Sequence, residues 1–118
     1  MISTEQIVAR LARAIDAGDI AAVMQYLSRR VRAHGDMTTE QTIGRLDVAR
    51  LLRERLAGEL GVQSVNGSPG IVARRASVTV AVMCPTVRLG LVTSVWLTSS
   101  PDRLRHFNPV TDAPDTRS

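Results

Sequence analysis

Two side chains capable of acid–base chemistry, His34 and Asp36, stand two residues apart in the segment Val31 to Asp36. Val31, Ala33 and Gly35 alternate there with Arg32, His34 and Asp36, the period of an extended strand, so imidazole and carboxylate share one face. If that face lines a cavity, Asp36 can serve as general base and His34 or Tyr26 as its partner on a small ligand. If it faces water, the same residues with Arg30 and Arg32 form a solvated ionic face, the usual place for charged side chains. Both readings are open at this point.

The remaining reactive or amphipathic groups are few. Tyr26 closes a short helical segment and either points into a cavity or staples helix to sheet. Trp96 shares its strand face with Arg88, Gly90, Val92 and Ser94, whereas Leu89, Leu91, Thr93, Val95 and Leu97 form the better core face. Packing, a dimer contact or the roof of a ligand cavity are the three roles open to Trp96. His106 alternates with Leu104 and Asn108; a lone histidine beside apolar neighbours is commonly a hydrogen-bonded structural residue, and a ligand contact is its other reading. Neither histidine has a carboxylate or cysteine at ligand spacing, so no metal site is expected. Cys84, between an apolar strand and Pro85, reads as a buried inert thiol. Gly67-Ser68-Pro69-Gly70 lacks the lysine and the strand-to-helix context of a phosphate loop, and no cofactor is expected.

These groups need a scaffold, and 118 residues allow one domain with one core. With 44% hydrophobic and 22% charged residues the composition is that of a folded chain. Tyr26, Trp96 and Phe107 are the only aromatics, so the core is aliphatic. All 15 basic residues are arginine, and the net charge is +4. The arginines are scattered and carry no stacking platform, which argues against nucleic acid as a partner. One cysteine excludes an internal disulfide. No apolar run approaches the ~18 residues of a membrane span, and the N-terminus reads as an amphipathic helix, so the expected location is the cytoplasm.

Along the chain, Ser3 and Gln6 form a capping box, with Ile7, Val8, Leu11 and Ile15 at helical spacing behind it. Gly18 ends this helix and Asp19 caps a second, through Leu27. A strand over Val31 to Asp36 follows, then Gly44 leads into a third helix from Leu46 or Asp47 to Leu60, stopped by Gly61. Strands are expected at Val62 to Val65, Ile71 to Arg74, Ser77 to Met83 (ended by Pro85), Leu89 to Leu97 and Leu104 to Val110. Asn66-Gly67 and Ser99-Ser100-Pro101-Asp102 are read as turns between them. The domain spans residues 1–110, and 111–118 form a polar tail. Helices first and hairpins last predict an α+β fold: three helices packed on a curved antiparallel sheet, a cone whose open end is a natural ligand cavity.

With that order in hand, the chain resembles the nuclear-transport-factor-2-like superfamily, which includes the SnoaL-like polyketide cyclases. The resemblance begins at the Ala17-Gly18-Asp19 hairpin and covers nearly the whole chain. Locally, Val65-Asn66-Gly67-Ser68-Pro69-Gly70-Ile71-Val72 and Phe107-Asn108-Pro109 are similar to the C-terminal domain of some extracytoplasmic-function sigma factors. His34-Gly35-Asp36 aligns with an Asp followed by glycines in those domains, although Met37 and Thr38 replace the glycines. No sigma-type DNA-binding helices precede this segment, so promoter recognition is not carried over. The resemblance implies a non-catalytic ligand-binding or regulatory domain with a cone-shaped pocket for a small hydrophobic ligand, working as a homodimer. The alternative it implies is a SnoaL-like isomerase, cyclase or hydrolase with Asp36 as general base.

Overall fold

The computed structural model describes residues 2–36 and 40–107, and the backbone alone at His106. Helix α1 (Thr4–Asp16) begins at the expected capping box: the Ser3 hydroxyl accepts from the Gln6 N–H at 3.2 Å, and Gln6 Oε1 accepts from the Ser3 N–H at 3.0 Å. At its other end the Gly18 N–H donates to the Ile15 carbonyl and the Asp19 N–H to the Ala14 carbonyl, the paired bonds of a Schellman cap. Asp19 at once caps α2 (Ile20–Gln25), its Oδ1 accepting from the Ala22 N–H at 3.1 Å. Strands β1 (Leu27–Gly35) and β2 (Thr42–Ile43) lead to α3 (Arg45–Arg55). Then come β3 (Glu59–Val65), β4 (Ser68–Arg75), β5 (Val78–Arg88) and β6 (Leu91–Thr98), and last the short helix α4 (Pro101–Leu104) with a 3₁₀ turn, Arg105–Phe107.

The six strands form one curved sheet in the order β2-β1-β6-β5-β4-β3. Neighbours are antiparallel except β1 and β6, which run parallel, so the sheet is mixed. Helix α1 lies over β3 and β4, and α3 over β1. Between helices and sheet the space is filled by Leu11, Leu27, Leu52, Ile71 and Met83, all fully buried. Each such side chain contributes about 1.5–3 kcal/mol relative to an exposed one. On the opposite face Val65, Val72, Val82 and Leu104 make a second, smaller cluster, with Cys84 and Phe107 against it. The middle of β4 and β5 is thus buried on both sides, which is why Ile71-Val72-Ala73 and Ala81-Val82-Met83 read as unbroken apolar runs.

Several expected boundaries differ. The segment Leu104 to Val110, expected as a strand, is helical through Phe107, and residues 108–110 lie outside the described residues, as does the tail 111–118. Ser100 stands at the N-cap of α4 and Pro101 at its first position, where the fixed proline φ suits a helix. Leu104 and Phe107, three apart, then both reach the second cluster. The third helix stops at Arg55, not Leu60, and Gly61 lies inside β3. Pro85 does not end β5: β4 pairs only as far as Met83, so beyond that point β5 is paired on one side alone, with β6, and proline is tolerated in such an edge stretch. Leu89 and Gly90 form a two-residue turn rather than the start of β6, with φ of 51° and 79°.

Candidate ligand-binding site

A groove of about 630 Å³ opens where the start of α1, the end of α2 and the β5–β6 hairpin meet. Ile2, Ile7, Tyr26 and Val87 make its walls, with Thr4 among the lining residues and Leu89 on its rim. Tyr26 is placed by its backbone: it caps α2, and its carbonyl accepts from the Val92 N–H at 2.8 Å, tying helix to strand. Ile7 is buried in the main core and both Tyr26 and Val87 pack against that core, so the groove floor is continuous with it. Its size and mostly apolar lining suit a small hydrophobic molecule.

The hairpin that supplies Val87 and Leu89 is shaped by a bulge. Thr86 pairs with Ser94 but Val87 with Val92, so Thr93 is an extra residue in β6. Its hydroxyl donates to the Thr86 carbonyl at 3.3 Å. The extra residue reverses the in–out phase. Val92 turns into the core at 0% exposure, while Leu91 is at 37% and Leu89 at 103%. Leu89 also holds a left-handed φ of 51°, in a two-residue turn that favours asparagine, aspartate or glycine. A fully exposed leucine in an unfavourable backbone conformation gives the fold nothing.

His34 and Asp36 lie elsewhere. Asp36 follows β1, and its side chain is 2% exposed. Its Oδ1 accepts from the Ser99 N–H at 3.0 Å and its Oδ2 from the Ser100 N–H at 3.1 Å, so the carboxylate clips the end of β1 to the start of α4. Arg103, largely exposed, approaches Oδ2 at 4.0 Å. The His34 ring stacks on Trp96, with ring centroids 5.8 Å apart and planes 25° from parallel. Gln41 Nε2 stands 3.4 Å from His34 Nδ1. Trp96, 44% exposed, faces away from α1–α3 and lines a second depression of about 600 Å³ with Val65, Val82, Cys84, Arg103 and Phe107. Tyr26 and Trp96 therefore belong to different hollows. The side chain of His106 lies outside the described residues.

No protein-family model matches this chain, and no curated protein does. Solved structures do. Extracytoplasmic function sigma factor SigJ of Mycobacterium tuberculosis superposes with a TM-score of 0.66 at 27% identity, over 85% of this chain and 43% of the sigma factor. This chain thus spans less than half of that protein's length. An NTF-2 like protein of unknown function from Burkholderia xenovorans gives 0.64 at 18% identity, over 92% and 85% of the two chains. A protein provisionally named a ketosteroid isomerase, from Kribbella flavida, gives 0.64 at 16%, over 98% and 93%. The fold is nuclear-transport-factor-2-like.

Within this nuclear-transport-factor-2-like domain the groove residues Ile2, Ile7, Val87 and Leu89 carry no chemical signature in sequence, being apolar like the core. The one signal near them was Gly90, a residue that suits a left-handed turn position between two alternating runs. Among the described residues no three His, Cys, Asp or Glu side chains come together as a metal site would need, and no helix is long and apolar enough to cross a membrane. Cys84 is half-buried, and desolvation pushes its thiol above the usual range. Since only the thiolate reacts, iodoacetamide at neutral pH is expected to modify Cys84 several-fold more slowly than a free peptide thiol. Equal rates would show that the thiol is not desolvated.

Proposed function

We propose that this chain is a non-catalytic small-molecule-binding domain that takes a hydrophobic ligand in the Tyr26–Leu89 groove and acts as a homodimer. The observation that carries it is Leu89: an exposed apolar side chain held at positive φ on the rim of an apolar groove. Unfavourable backbone geometry of this kind persists where function retains it. The fold it shares with proteins named as isomerases and cyclases supports a binding role, and likeness to SigJ supports a regulatory one. Cytoplasmic location belongs to the same reading.

The alternative, a SnoaL-like enzyme using Asp36 as base with His34, gains from the burial of the carboxylate. Against it, both oxygens already accept backbone N–H groups, and the His34 ring is engaged by Trp96 and Gln41.

Leu89→Asn tests the binding reading with the dye anilinonaphthalene sulfonate as the ligand. Asparagine suits the turn and loses no packing, so the unfolding free energy is expected to rise by about 0.5–1 kcal/mol. Dye affinity is expected to fall about tenfold, the size of one lost apolar contact. A variant that is more stable and binds the dye unchanged would overturn the reading.

A further inference from the structure

The two edges of the sheet are unequal. Strand β2 at one edge has two residues, Thr42 and Ile43. Strand β3 at the other has seven, Glu59–Val65, all in register with β4. Among the described residues its outer row of backbone N–H and C=O groups meets no further strand. Folded proteins usually blunt such an edge with lysine, proline, bulges or a covering element. None of the first three occurs in β3, and its single charge, Glu59, is at one end.

Gly61 is the second observation. It sits in the middle of this strand opposite Val72, in regular pairing. Its φ is not in the left-handed region, and a Cβ added there would have nothing within 4 Å. Neither backbone conformation nor packing within the chain calls for glycine. A glycine inside a strand weakens it, and often marks a place where another backbone approaches closely.

We infer that β3 is the dimer contact: two copies add their β3 strands edge to edge, antiparallel about a two-fold axis at Val62. This rests on the homodimer part of the proposed function and names the surface for it. The strand is compatible with its own reverse. About Val62 the axis places Glu59 opposite Val65, Leu60 opposite Ser64 and Gly61 opposite Gln63, so no like charges meet. The Gln63 amide is turned back onto β4, its Oε1 accepting from Arg74 at 3.1 Å. Leu60 and Val62 are half-buried beside α1 on one face of the strand; across the axis Val62 would meet Val62 of the partner subunit, with Leu60 diagonal to that pair. A two-fold contact of this kind is self-limiting, because it consumes the long edge of both chains.

Sedimentation equilibrium of the wild-type chain and three variants tests this. At about 100 µM, above the Kd of a micromolar dimer, the wild type is expected to be dimeric. Val62→Lys sets two ammonium groups against each other across the axis and is expected to weaken the dimer at least tenfold. Gly61→Val, which meets nothing within its own chain, is expected to keep or raise the melting temperature while weakening the dimer. A wild type that stays monomeric overturns both the inference and the homodimer reading. A dimer that survives Val62→Lys and Gly61→Val but separates on Trp96→Asp overturns the inference alone, since the contact is then on the Trp96 face.

Discussion

Asp36→Ala is expected to lower the unfolding free energy by about 3 kcal/mol. Hydrogen bonds to a charged group contribute roughly 1.5–3 kcal/mol each, and deletion leaves the Ser99 and Ser100 amides without their acceptor. Part of this is recovered if the start of α4 opens to water, which keeps the total near the value for one strong bond. Melting is expected to fall by about 10 °C, at roughly 4 °C per kcal/mol for a domain of this size. Asp36→Asn retains one acceptor oxygen and is expected to lose about half as much. Arg103→Ala is expected to cost less than about 1 kcal/mol, because that guanidinium is mostly in water. The pair of Asp36 variants also separates the two functional readings. A structural clip gives the graded thermal losses above, with dye binding in the Tyr26–Leu89 groove retained. A catalytic base gives the reverse, an asparagine variant that melts like the wild type and has lost turnover. Thermal scans showing Asp36→Ala within about 2 °C of the wild type would remove the clip.

Gly58→Ala is the second large effect. Gly58 joins the end of α3 to β3 with φ of 121°, and an added Cβ would stand 2.5 Å from the Arg74 carbonyl oxygen and 3.1 Å from the Arg75 side chain. The nearer obstacle does not yield easily, being backbone in the β3–β4 ladder, and the conformation itself is poor for any L side chain. Strained φ costs about 1–3 kcal/mol and forced displacement of packed atoms a similar amount. A loss of at least about 3 kcal/mol is expected, measured by urea unfolding with the slope unchanged. Gly61→Ala, three residues on, is the matched control. With open space around its Cβ and an ordinary φ, it is expected to change stability by less than about 0.5 kcal/mol. Equal losses at the two positions would mean that glycine is wanted throughout this segment for a reason other than contact with Arg74.

These effects also show why Gly58 and Asp36 were poorly legible before the fold was known. As a sequence position Gly58 is one small residue after a helix; only the approach of Arg74, sixteen positions later, makes it indispensable. Asp36 carries the residue type of a general base, and its alternation with His34 is real. What occupies its oxygens comes from residues 63 and 64 positions away.

The amino-acid sequence by itself determined the features whose energy is local. The Ser3–Gln6 capping box, the Gly18–Asp19 junction and the Asn66–Gly67 hairpin turn each depend on groups within a few residues, so residue type alone specifies them. Their order along the chain was enough to infer three helices on a curved sheet. Tertiary structure alone decided how the sheet is completed: β1 lies parallel beside β6, and Thr93 bulges out and turns Leu89 and Leu91 away from the core. It also decided that Leu104 and Phe107 belong to a helical turn rather than a strand, because the second apolar cluster rewards their three-residue spacing. In each case two local conformations of similar energy were available, and contacts between distant parts of the chain chose between them.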